Sequence, residues 1–137
     1  MDDTITIRDG GNSLELSAPT LRDGEGWTWY TAVLTAPGLR ATTTVADFGR
    51  WGIERYFAEL CASWRGWEGE KSWLSTENHL AFAARIDRTG HITLKVTLWD
   101  DAGSGGWRAE CELAVEAGEQ LSRIGSDVAR LFGGTRA

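Results

Sequence analysis

Two histidines, His79 and His91, and two cysteines, Cys61 and Cys111, are all the imidazole and thiol groups this chain contains. No second histidine lies three to five residues from either one, and the cysteines do not have ligand spacing, so a structural zinc site is not expected. The sequence has no GxSxG elbow, no Gly-Lys-Ser/Thr phosphate loop and no GxGxxG following a strand. The glycines of Ala102-Gly103-Ser104-Gly105-Gly106-Trp107 join two predicted strands and so lack the helix N-terminus that a phosphate site uses. No cofactor, metal ligand or catalytic residue is assigned on these grounds.

Carboxylates are plentiful, and Glu68, Glu70 and Glu77 gather around a tryptophan-rich connection. Burial beside indoles could raise a carboxyl pKa there, so Trp67, Glu70, Trp73, Glu77 and His91 form one candidate pocket for a small molecule or carbohydrate, or for an enzyme's substrate. The plainer reading makes the glutamates solvated charges and the two tryptophans anchors of an irregular segment. Trp27 and Trp29 stand apart from these. At i and i+2 in a strand-like run they share one face, as partner-binding aromatics do.

The elements that must position these groups follow from periodicity. Strands are predicted over Thr4–Arg8, Ser13–Ala18, Trp27–Thr35 and Leu39–Ala46, separated by Asp9-Gly10-Gly11-Asn12, Asp23-Gly24-Glu25-Gly26 and Pro37-Gly38. Asp47 is the predicted N-cap of a helix. Its apolar stripe runs through Ile53, Tyr56, Phe57, Leu60, Cys61 and Trp64 to a stop at Gly66, with Trp51 placed to staple it to the sheet. After the connection from Trp67 to Ser75, strands are predicted at His79–Asp87, His91–Trp99 and Trp107–Val115. A second helix follows from about Gly118 to Phe132, with Leu121, Ile124, Val128 and Leu131 on one face, and a frayed tail from Gly133.

The halves, about 1–66 and 67–132, superimpose in element order. The pattern predicts a single α+β domain over 1–137: an antiparallel meander of six to seven strands, two helices on one face and an internal β-β-β-α duplication. In the second half Ile92, Leu94, Val96 and Leu98 must point to the core. Transfer to the first half turns Tyr30, Ala32 and Leu34 inward and Trp27, Trp29, Thr31 and Val33 outward. The candidate binding face is then Trp27, Trp29, Thr42, Thr44, Thr93, Lys95, Thr97, Glu110 and Glu112.

The composition narrows the partners. The 137 residues carry a net charge of −6, which disfavours nucleic acid and favours a basic partner. No run is long and apolar enough to cross a bilayer, and Met1-Asp2-Asp3-Thr4 lacks signal-peptide character, so a cytoplasmic protein without membrane attachment is expected. Cys61 and Cys111 then read as small core residues.

The block Gly66-Trp67-Glu68-Gly69-Glu70-Lys71-Ser72-Trp73-Leu74-Ser75-Thr76-Glu77, with His79-Leu80, Gly90-His91 and the helix start Glu116-x-Gly118-Glu119-x-Leu121, resembles an uncharacterised family of small proteins from high-GC bacteria, domain of unknown function 6228. At the start of the strand at Leu80, Asn78 or His79 stands where the family has glycine. Members are similar in size and layout to immunity proteins of bacterial toxin systems. The resemblance implies a fold and no catalytic residues. Together these readings predict a non-enzymatic protein-binding domain, of immunity type, that meets a partner such as a basic toxin domain. The alternatives are the pocket-based binding module or enzyme, and a structural homodimer joined through the open sheet face.

Overall fold

The computed structural model describes residues 4–21, 26–48, 52–100 and 106–133. Within them, hydrophobic alternation and turn residues divide the chain into β1 (Thr4–Asp9), β2 (Asn12–Leu21), β3 (Trp27–Ala36), β4 (Leu39–Phe48), α1 (Ile53–Ala62), β5 (Lys71–Leu74), β6 (Leu80–Ile86), β7 (His91–Trp99), β8 (Arg108–Glu116) and α2 (Glu119–Val128). A wider helical turn over Ala129–Gly133 extends α2. Of the sequence expectations, Asp23, Gly24 and Glu25, Trp51, residues 101–105 of the glycine-rich loop and the tail from Gly134 lie outside the described residues.

The α+β class, antiparallel meanders, paired helices and repeated halves are all present. Where six or seven strands in one sheet were predicted, the described residues form two four-stranded sheets, ordered β1-β2-β3-β4 and β5-β6-β7-β8. The repeating unit is therefore β-β-β-β-α. Its additional strand is β5, four residues inside the segment predicted as an irregular connection, paired from Lys71↔Ala84 to Leu74↔Ala81. The helices do not cover one open sheet; α1 and α2 share a single core with the inner faces of both sheets.

That core follows the predicted alternation. Ile5, Ile7, Leu14, Leu16, Tyr30, Ala32, Leu34 and Val45 face inward from the first sheet, and Leu80, Phe82, Ile92, Leu94, Val96, Leu98, Leu113 and Val115 from the second. Helix α1 contributes Ile53, Tyr56, Phe57 and Leu60, and α2 contributes Leu121, Ile124 and Val128, followed by Leu131 and Phe132. At the α1–α2 crossing, a methyl group on Gly125 would overlap the sulfur of Cys61. Cys61 and Cys111 are half-buried and packed against the core as free thiols.

Two local expectations change. Asp47 is not the N-cap residue of α1, although the Ile53 N–H at the helix start faces its carboxylate. Strand β4 continues through Asp47, which pairs with Thr28, and the helix begins at Gly52 without a side-chain cap. Trp64, assigned to the buried stripe, lies beyond the last residue of α1 and is 49% exposed.

The sheets also close one another's edges. The two-residue β1–β2 turn, with Gly10 at φ +59 as this hairpin geometry requires, reaches the outer edge of β8. There the Asn12 amide donates to the Glu112 carbonyl at 3.3 Å, and the Ala114 N–H donates to Asp9 Oδ2 at 2.9 Å. In the opposite sense, the Phe48 N–H at the edge of β4 donates to Thr76 Oγ1 in the β5–β6 turn at 3.0 Å. No helix among the described residues is long and apolar enough to cross a membrane.

Candidate functional site

Each sheet has one face on the core and one turned away from it. On the outward face of the first sheet the register lays side chains in rows across the strands. Arg8, Ser13, Thr35 and Arg40 form the row nearest the β1–β2 and β3–β4 turns. Next come Thr6, Glu15, Val33 and Thr42, and then Thr4, Ser17, Thr31 and Thr44. The far end is aromatic. Trp27 lies opposite Phe48, its ring 5.3 Å from Phe48 in an edge contact and 6.5 Å from Trp29. Trp29 is 37% exposed and Phe48 41% exposed, while Trp27 is half-buried between them. Trp27 and Trp29 thus lie on the side away from the core, as the repeat predicts.

The remaining members of the predicted face are on the other sheet. Thr93, Lys95, Thr97, Glu110 and Glu112 occupy β7 and β8, with Lys95 opposite Glu112 and Thr97 opposite Glu110. Two sheets wrapped around one core turn their outer faces in different directions, so the expected single face is divided into an aromatic, hydroxyl-rich one and a charged one. On the charged face Lys95 Nζ lies 3.9 Å from Glu110, which also pairs with Arg108 at 2.8 Å. Thr97 faces outward by register yet is only 4% exposed.

The alternative pocket residues do not converge. The Trp67 indole N–H donates to the Ala84 carbonyl at 3.1 Å, with the Lys71 ammonium 5.8 Å from its ring centroid, so this tryptophan anchors the chain entering β5. Glu70 pairs with Arg85 at 3.5 Å. Trp73 points inward, stacked on Phe82 at 5.5 Å and tilted against Tyr56 at 6.3 Å. Glu77 is exposed in the β5–β6 turn, beyond the opposite end of β5. His91 opens β7, where its ring is 2.6 Å from Thr89 Oγ1, 3.2 Å from Glu116 and 3.6 Å from Asp87. Asp87 accepts from the His91 N–H and from the hydroxyl and N–H of Thr89, and those bonds, the His91 one first, hold its carboxyl down at about 2. Among the described residues no three His, Cys, Asp or Glu side chains are placed to hold a metal ion.

A groove of about 640 Å³ does open on Trp73, between α1 and β5. Arg55, Tyr56 and Glu59 form one wall, Ser72, Trp73 and Leu74 the other, and Gly52, Ser75, Thr76 and Asn78 close one end. The Tyr56 hydroxyl donates to the Lys71 carbonyl at 2.9 Å, and Lys71 Nζ meets Glu59 at 2.9 Å, tying α1 to β5.

Beside the Gly52–Thr76 end of this groove lies a buried carboxylate that sequence reasoning assigned to a helix cap. Asp47 is 3% exposed and receives the Tyr30 hydroxyl on Oδ2 at 2.6 Å. The N–H groups of Thr76 and Ile53 point toward the carboxylate, but Oδ1 has no well-formed hydrogen bond among the described residues. Burial is the main cause that pushes Asp47 up to about 6, against the hydrogen bond from Tyr30; Glu54 adds a smaller push. Burial and the facing carboxylate likewise hold the Tyr30 phenol well above its usual range. Phe48 was missed beside it, although its outward parity could have been read from Thr42 and Thr44.

The family model that matches the chain, described as a family of unknown function (DUF6228), spans residues 5–135, and the chain belongs to that family. No curated protein matches it. Among solved structures, one titled "Structure of the plant transcriptional regulator PBF-2" is similar in fold. It shares 7% identity at a TM-score of 0.49, over 96% of this chain and 82% of that one, a likeness too distant to bear on function.

Proposed function

We propose that this member of a family of unknown function is a non-enzymatic protein-binding domain whose contact centre is the Trp27–Trp29–Phe48 cluster, with an immunity-type inhibitor as the specific role. One observation carries the reading: three large aromatics are gathered at one end of a sheet face that points away from the core, two of them more than a third exposed. Large aromatic anchors inside a polar rim are the usual anatomy of a protein–protein hot spot. The threonine and serine rows beside the cluster supply such a rim. The net charge of −6 and the carboxylates Glu110, Glu112 and Glu116 would steer a basic partner, such as a toxin domain, toward the molecule.

The test is calorimetric titration of the protein against purified products of its genomic neighbours. Trp29→Ala and Phe48→Ala should each weaken a true partner by roughly 10-fold or more, the loss typical of a truncated hot-spot aromatic. A partner that binds both variants as tightly as the parent removes this face from the interface. Self-association that vanishes in the same variants, read by light scattering, would replace the partner with a second copy.

The groove between α1 and β5 supports a second reading, a small-molecule or carbohydrate site. Its volume of about 640 Å³ lies within the range of ligand pockets, and Trp73 and Tyr56 give it an aromatic floor. A ligand held there should lose affinity in Trp73→Leu and keep it in Trp29→Ala.

A further inference from the structure

We propose that Asp47 is a protonation-controlled latch: its carboxyl holds the start of α1 and the β5–β6 turn against the end of β4, and loss of its proton makes that corner open more readily. Three separate elements meet at this one side chain. Asp47 belongs to β4, its Oδ2 is fixed by Tyr30 of β3, and the Ile53 and Thr76 N–H groups face it from α1 and the β5–β6 turn. The next residue of β4, Phe48, is bonded to Thr76 through its own N–H. Gly52 and Thr76 also close the groove. The corner therefore joins the groove to the aromatic face, but the latch is independent of either functional reading.

Among the described residues, the titratable groups that face Asp47 are Tyr30 from β3 and Glu54 from α1; the β5–β6 turn presents only the backbone of Thr76. Tyr30 is itself braced from behind by the Phe132 ring, 4.8 Å away. No cation of the described residues is among the groups acting on Asp47. Even with those two N–H groups facing it, which favour the charged form, an ionised Asp47 is a buried charge with no cation beside it, with Oδ1 lacking a well-formed bond among the described residues and with a carboxylate as neighbour. Hydration relieves all three, and hydration requires the α1 start or the turn to move away.

The sign follows from linkage. The closed state binds the Asp47 proton more tightly than an open, hydrated state, where the carboxyl returns to about 3.8. Closure is therefore strongest below about 3.8 and weakens as pH rises through about 6. With those two values the opening constant rises roughly 50-fold between about pH 4 and about pH 8.

Amide hydrogen exchange on the intact protein tests this without any partner. After correction for intrinsic rates, the amides of Phe48, Ile53 and Thr76 should exchange faster than those of Leu94 and Val96 in β7. Their opening should grow roughly 50-fold across that range, with the midpoint at which the Asp47 carboxyl carbon titrates by NMR. In Asp47→Asn the dependence should flatten at those three amides. Exchange of the three amides only together with the β7 core, or a local opening that ignores pH, overturns the proposal. So does an Asp47 carbon that titrates near 4, a result readable in the parent even if the Asn variant fails to fold.

Discussion

Gly125→Ala puts the contact between the helices to a quantitative test. A methyl at this half-buried position would fall on the Cys61 sulfur, which donates to the Leu121 carbonyl at 3.5 Å and sits on the facing side of α1. Replacing glycine by alanine inside a helix should by itself gain about 1 kcal/mol. Overpacking a tight contact costs about 1–3 kcal/mol, because either the sulfur leaves its rotamer or the helices separate and the core beneath them loosens. We expect the second effect to win, with a net loss of about 1 kcal/mol. Cys61→Ala alone should cost about 1 kcal/mol for a half-buried thiol. In the double variant the overlap is gone, since the Cys61 Cβ lies 3.9 Å from the added methyl, and the helix gain remains. It should return to within about 0.5 kcal/mol of the parent, a coupling of about 2 kcal/mol. Urea unfolding followed by tryptophan fluorescence reads all four corners of the cycle, and Tm should move by about 4 °C per kcal/mol. A stabilised single variant, or a coupling indistinguishable from zero, would refute the close helix approach.

Ser75→Ala should destabilise by about 2–3 kcal/mol in urea unfolding, because buried Ser75 Oγ accepts the N–H groups of both His79 and Leu80. Thr43→Val should stabilise by about 1 kcal/mol in a thermal melt, since the Thr43 hydroxyl is buried with no hydrogen-bond partner among the described residues. The Asp87 carboxyl is held low, so its support of the β6–β7 turn is present above about 4 and lost as pH falls through about 2. The Thr89 and His91 amide shifts should therefore titrate with a midpoint near about 2, and Asp87→Asn should abolish that transition.

Strands and helices were legible wherever one face repeats often enough to be read. His91–Trp99 alternates without a break, and its transfer onto Trp27–Leu34 placed Tyr30, Ala32 and Leu34 inside correctly. Strand β5 escaped because four residues with Lys71 and Trp73 turned inward give no alternation to count. Whether two meanders join edge to edge or fold face to face is not written in period two at all, which is why one sheet was expected where two exist. Asp47 looked like a cap because aspartate just before a helical stripe often is one. Only the distant Tyr30 hydroxyl, 17 residues earlier, and the turn around Thr76 make it the buried end of a strand instead. The aromatic cluster was half legible: parity gave Trp27 and Trp29, but the ring that completes it, Phe48, depends on β4 running two residues further than predicted.

The turn of each half seals the raw border of the other half's sheet. A gene cut between residues 66 and 67 would release two fragments, each lacking the loop that covers its last strand. The second would leave the Glu112 and Ala114 backbone open, and the first the Phe48 N–H. Bare strand borders recruit other chains, so each fragment should clump when made alone and dissolve when the two are made together. The repeated layout thus does more than double the core: the two halves act as mutual guards against aggregation, and the linkage between them keeps guard and guarded at a fixed one-to-one ratio.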